Sequence, residues 1–158
     1  SIDQKSMIGL VAGQQHLTSS WKRLADRISS FLQIGIPLAC QTHKPKNEPH
    51  LQEICDGILQ AQENDLIREF PFMKWSASAT KPDWSSEETG LWVELKYVRE
   101  RRDIRSITED ISSDITKYGD NQRRVLYVIY DPQHHVSDEK QFVDPILSRE
   151  SMLVTFIR

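Results

Sequence analysis

With 158 residues, 38% of them hydrophobic and 27% charged, the chain has the size of one domain and can bury a core without disulfide or metal staples. A formal net charge of −3 argues against a protein that grips nucleic acid by bulk charge alone. No run approaches the ~20 apolar residues of a membrane span, so no membrane partner is expected. Cys40 and Cys55 lack metal-ligand spacing, and suggest reduced thiols in a cytoplasmic protein with Cys55 as plain core.

In chain order, Trp21, Leu24, Ile28, Phe31 and Leu32 fall at helical spacing over 18–33, with Thr18 or Ser19 able to cap the first turn. Residues 39–47 carry Pro45 and no period, which predicts a linker, so 1–45 are expected to form a helical extension before a core at 46–158. Helical spacing resumes over 48–62 with Asn47 as N-cap, followed by a strand at 66–72. Residues 75–81 fit the partner strand of a hairpin whose turn composition lies at 85–90.

Ile104, Ile107, Ile111 and Ile115 predict a helix ending at Gly119. Residues 125–130 are a continuous apolar run, expected as a central strand buried on both faces. A weaker helix is expected at 138–147 and a last strand at 152–157. The N-terminal Ser1 leads to the expectation of a piece of a longer chain with further domains, and a homodimer is left open.

The chemistry concentrates on the strand at 92–98. Its alternation puts Glu94 and Lys96 on one face and packs Val93, Leu95 and Tyr97 on the other. A hairpin brings Asp83 to Glu94, and two carboxylates with a neighbouring lysine can hold a divalent cation beside a phosphate, which points to phosphodiester cleavage. The plainer alternative is an exposed Glu94–Lys96 pair and a turn aspartate. Arg99, Arg101, Arg102 and Arg105 follow at once, and suit either a solvated loop or contact with a phosphate backbone. Trp84 and Trp92 are expected in the core, and His134 and His135 on the surface.

The order helix, three strands, helix, strand, with Asp83 on the second strand and Glu94 and Lys96 on the third, resembles the PD-(D/E)XK superfamily of restriction-endonuclease-like nucleases. The segments 48–59, 79–96, 107–118 and 125–132 are similar to small nuclease domains of bacterial restriction and phage-defence proteins. The resemblance implies an α/β fold with an αβββαβ core: a central mixed sheet flanked by helices. It implies that Asp83 and Glu94 ligate Mg²⁺ or Mn²⁺ with the Leu95 carbonyl while Lys96 orients or activates the attacking water. It adds an acid from the first core helix, Glu48 with Glu53 behind it, and makes DNA rather than RNA the expected substrate of an endonuclease. The alternative is an inactive module that binds nucleic acid or a protein partner through the arginines.

Overall fold

The computed structural model describes residues 4–63, 65–68, 81–118, 123–147 and 149–158. Helix α1 (Gln4–Ala39) is followed by α2 (Glu48–Gln62) and the short strands β1 (Leu66–Arg68) and β2 (Trp84–Ser86). Then come β3 (Leu91–Tyr97), α3 (Asp103–Tyr118), β4 (Arg124–Tyr130), α4 (Glu139–Leu147) and β5 (Met152–Ile157). The strands form one mixed sheet in the order β1-β2-β3-β4-β5. The pairs β1–β2 and β2–β3 run antiparallel, whereas β3–β4 and β4–β5 run parallel, their crossovers supplied by α3 and α4. This is the α/β, restriction-endonuclease-like architecture expected.

Two apolar clusters sandwich the sheet. On one face Leu24, Ile28, Leu32 and Ile36 of α1 and Leu51, Cys55 and Leu59 of α2 pack on Val93 and Leu95 of β3 and Leu126 and Val128 of β4. On the other, Ile107 and Ile111 of α3 and Phe142 and Ile146 of α4 cover Val125, Tyr127 and Ile129. β4 is therefore buried on both faces, as its unbroken apolar run requires. Gly35 allows α1 to lie close on α2, since a Cβ there would stand 2.8 Å from Ile58 Cδ1. Gly90 closes the β2–β3 turn at φ 75, a backbone that other residues adopt only under strain.

Asn47 caps α2 as predicted, its side chain accepting the His50 N–H at 2.9 Å, and Pro49 sits in the first turn. α1 differs. It does not begin at a Thr18 or Ser19 cap but runs from Gln4, because a hydroxyl residue is also tolerated inside a helix. The strand expected at 66–72 is observed as β1 over its first three residues, and 69–72 lie outside the described residues. Most of the 75–81 stretch and Gly119 also lie outside them. Among the described residues, Trp84 and Ser85 of β2 pair with β3. Among the described residues no helix is long and apolar enough to cross a membrane.

Candidate active site

Burial of Leu91, Val93, Leu95 and Tyr97 against α1 and α2 turns Glu94 and Lys96 to the opposite face, as the alternation predicted. Glu94 is only 9% exposed, and the Lys96 side chain 16%, so the two do not form an exposed surface pair. The Lys96 ammonium contacts Asp110 of α3 at 3.3 Å.

Asp83 was expected within the second core strand. It stands instead one residue before β2, and its side chain takes over where the backbone ladder stops. β2 pairs with β3 only through Trp84 and Ser85; beyond them the Asp83 N–H donates to the Val93 carbonyl at 3.1 Å. Its Oδ2 accepts the Leu95 N–H at 2.8 Å and its Oδ1 the Gln52 amide at 2.9 Å. The carboxylate is thereby fixed on the peptide that joins Glu94 to Leu95. A strand residue sends its N–H and C=O to the same side, so the Leu95 carbonyl faces the edge that Asp83 occupies.

Glu48 enters from the first turn of α2. Its carboxyl is pushed above the ordinary carboxylate range chiefly by burial, with Asp83 and Asp110 adding to the effect, while Lys96 and the Tyr97 backbone N–H oppose it. Burial alone would lower the Lys96 ammonium; Glu48, Asp110 and Glu94 outweigh it and hold the group above its usual value. Glu48, Glu94 and Asp110 thus all act on one lysine, and Asp83 acts on Glu48. The surplus of negative charge and the all-oxygen donor set fit a hard divalent cation. Among the described residues no three His, Cys, Asp or Glu side chains make a complete ligand cluster. A Mg²⁺ ion, which keeps several waters, does not need one.

Crowding of this kind trades stability for charge, so Glu48→Gln should raise the melting temperature at pH 7. The sign follows from the upward shift: Glu48 contributes fully below its unfolded value of about 4.3, and that contribution is lost as pH rises through the higher native value. The gain should be about 2–4 °C for each kcal/mol relieved and should fade towards pH 4 in thermal melts without metal. A gain that persists unchanged at pH 4 contradicts the electrostatic cause.

Helix geometry separates the two acids considered for α2. Glu53 is exposed and lines a surface cleft with Lys46, Asn47 and His50, away from Lys96. Gln52, one turn after Glu48 on the same face, was overlooked; the i, i+4 rule applied to Glu48 would have found it. On α3, Asp110 reaches Lys96, Glu109 pairs with Arg105 at 3.0 Å, and Asp114 receives the Tyr127 hydroxyl at 3.3 Å.

The four arginines are all exposed but do not act as one patch. Arg102 pairs with Glu100, and Arg105 with Glu109. Arg101 and Arg105 line a cleft of about 430 Å³ between α3 and α4, and Arg99 lines a different one beside Tyr97. Trp84 is fully buried, and Trp92 lies half-buried under the Arg123 guanidinium, 4.0 Å from the ring centre. His134 engages Arg158 at 2.8 Å and His135 engages Gln133 at 3.2 Å, both in a loop anchored by buried Asp131, which accepts the His135 and Val136 N–H groups.

The family model of the DpnII-MboI restriction endonucleases matches residues 18–157. The chain belongs to the DpnII-MboI restriction endonuclease family. Membership makes it a restriction-type DNA endonuclease with DNA as its substrate. The match begins within α1, whose residues Trp21 to Ile36 build one side of the core, and ends in β5. No curated protein and no solved structure matches the chain.

Proposed function

We propose that this DpnII-MboI family endonuclease cuts DNA with Mg²⁺ or Mn²⁺ at a PD-(D/E)XK site formed by Asp83, Glu94 and Lys96, in restriction or phage defence. The observation that carries the reading is the Asp83 carboxylate fastened to the Glu94–Leu95 peptide, one residue from Lys96. Asp83, Glu94 and the Leu95 carbonyl would hold the ion, with Glu48 offering a further oxygen. Bound there, a divalent cation stabilises charge on phosphoryl oxygens and makes a coordinated water more acidic. Gln52 sets the rotation of the Asp83 carboxylate by holding Oδ1. Lys96 presents a compact positive charge to the scissile phosphate and the attacking water, and Asp110 fixes the ammonium in place.

A plasmid and linear duplexes incubated with Mg²⁺, Mn²⁺ or chelator, with wild type and Asp83→Asn in parallel, test the proposal. Cleavage that needs the ion and is lost in the variant is expected. Equal cutting by both proteins would place the chemistry elsewhere. Duplex binding without cutting under any metal would favour the inactive nucleic-acid module.

A further inference from the structure

The linker between α1 and α2 carries no periodicity and no recognisable motif, yet the fold brings it to the end of the catalytic strand. The Tyr97 hydroxyl donates to the Pro45 carbonyl at 3.4 Å, and the Tyr97 ring stacks on Tyr130 with centroids 5.3 Å apart. Pro45 is buried by these contacts, which fixes its neighbour Lys44 over the ends of β3 and β4. There Lys44 and Arg99 line one cleft of about 190 Å³, floored by Tyr97 and Val98 and closed by Gln133.

Two like charges share a small cleft with one carboxylate. Glu100, the one acid that also lines it, pairs with Arg102. Among the described residues neither the Lys44 ammonium nor the Arg99 guanidinium is ion-paired, although the Arg99 backbone N–H donates to Asp103 Oδ2 at 2.9 Å, and both side chains are exposed. The cleft adjoins the candidate active site, because Tyr97, which lines it, directly follows Lys96 on β3. An unneutralised ammonium and guanidinium at this place fit an anion on the same strand of substrate whose neighbouring phosphate meets Lys96.

We propose that Lys44 and Arg99 form a two-sided grip on a DNA backbone phosphate next to the one that is cut, with the linker as one jaw and the turn after β3 as the other. The inference rests on the nuclease reading for its substrate and adds to it a positioning element that the linker supplies. Such a grip reads no sequence. It holds the strand in register and contributes equally to the ground state and the transition state, so its loss raises KM and leaves kcat nearly unchanged.

Duplex binding by the full chain, followed by fluorescence anisotropy with chelator present across a salt series, tests this apart from cleavage. Lys44→Ala and Arg99→Ala should each flatten the slope of log K against log salt by part of the ~0.9 that one phosphate carries. The double variant should lose about the full 0.9, so that a double variant equal to wild type at 1 M salt binds about eightfold more weakly than wild type at 0.1 M. Lys140→Ala, an exposed change on α4, should leave it as in wild type. All are surface changes whose melting temperatures serve as the check on folding.

Wild-type slopes in Lys44→Ala and Arg99→Ala overturn the grip even where Mg²⁺-dependent cleavage persists. Losses that depend on the duplex sequence overturn it in favour of base reading. A wild-type protein that cuts nothing in Mg²⁺ but shows the expected slope changes keeps the grip and sinks the catalytic reading. No duplex binding by wild type overturns both.

Discussion

Asp83→Asn should lower DNA cleavage by about a thousandfold or more while leaving the melting temperature within about 3 °C of wild type. The asparagine carbonyl can still accept the Leu95 N–H, and the Gln52 amide can turn to offer its oxygen to the new NH₂, so the hydrogen bonds that replace the ladder survive. What disappears is the charge. A metal ion supplies several kcal/mol of transition-state stabilisation, and each 1.36 kcal/mol is about tenfold in rate, which sets the expected size. Asp83→Ala should cut activity as far but also strand the Leu95 N–H, at a cost of about 1–3 kcal/mol. Lys96→Met should match Asp83→Asn in activity. Single-turnover cleavage and thermal melts on the same samples separate the two effects, and an Asn variant with a tenth of wild-type activity would refute the role.

The largest effect on stability should come from Trp84. It is fully buried between α2 and the sheet, and its indole N–H donates to Asp56 at 3.0 Å. Trp84→Ala removes one of the largest side chains of the core and should cost about 3–5 kcal/mol, or roughly 6–20 °C in melting temperature for a chain of this size. Trp84→Phe keeps most of the volume and deletes the hydrogen bond. Asp56 retains Gln60 and Arg68 as partners at 3.3 and 3.7 Å, so this variant should lose less than half as much. Because Trp84 adjoins Asp83, the Ala variant should also lose cleavage in proportion to its loss of folded protein. Denaturant melts of the three proteins decide it, and equal losses for Ala and Phe would mean that packing is not the source.

The strongest patterns in the sequence were those with a long unbroken period. Glu94 and Lys96 were legible because apolar and charged residues alternate from Val93 to Tyr97 in β3, and β4 because six consecutive apolar residues have no solvated face. The Asn47 cap was legible because cap chemistry is local. Asp83 was misplaced because β2 is three residues long and the side chain substitutes for a strand partner, an arrangement that leaves no periodic trace. The start of α1 was missed because Thr18 and Ser19 fit a cap and a helix interior equally well. Gln52 escaped, and Asp110 could not be chosen from among Glu109, Asp114 and Lys117 of the same helix, because their meaning comes from what faces them across the fold. Lys44 escaped for the same reason, since the linker's role depends on Tyr97 receiving Pro45.

β3 rests on unequal neighbours. On one side all seven of its residues are in register with β4, which is itself braced by β5; on the other, two residues pair with a three-residue strand and one aspartate side chain completes the edge. Local opening is therefore expected to start from the β1–β2 margin, where few amides are paired among the described residues, and to stop at β3, which the parallel half holds closed. An excursion of this kind detaches Asp83 while Glu94 and Lys96 keep their places. On the catalytic role proposed for Asp83, such an opening would leave the protein transiently inert without unfolding.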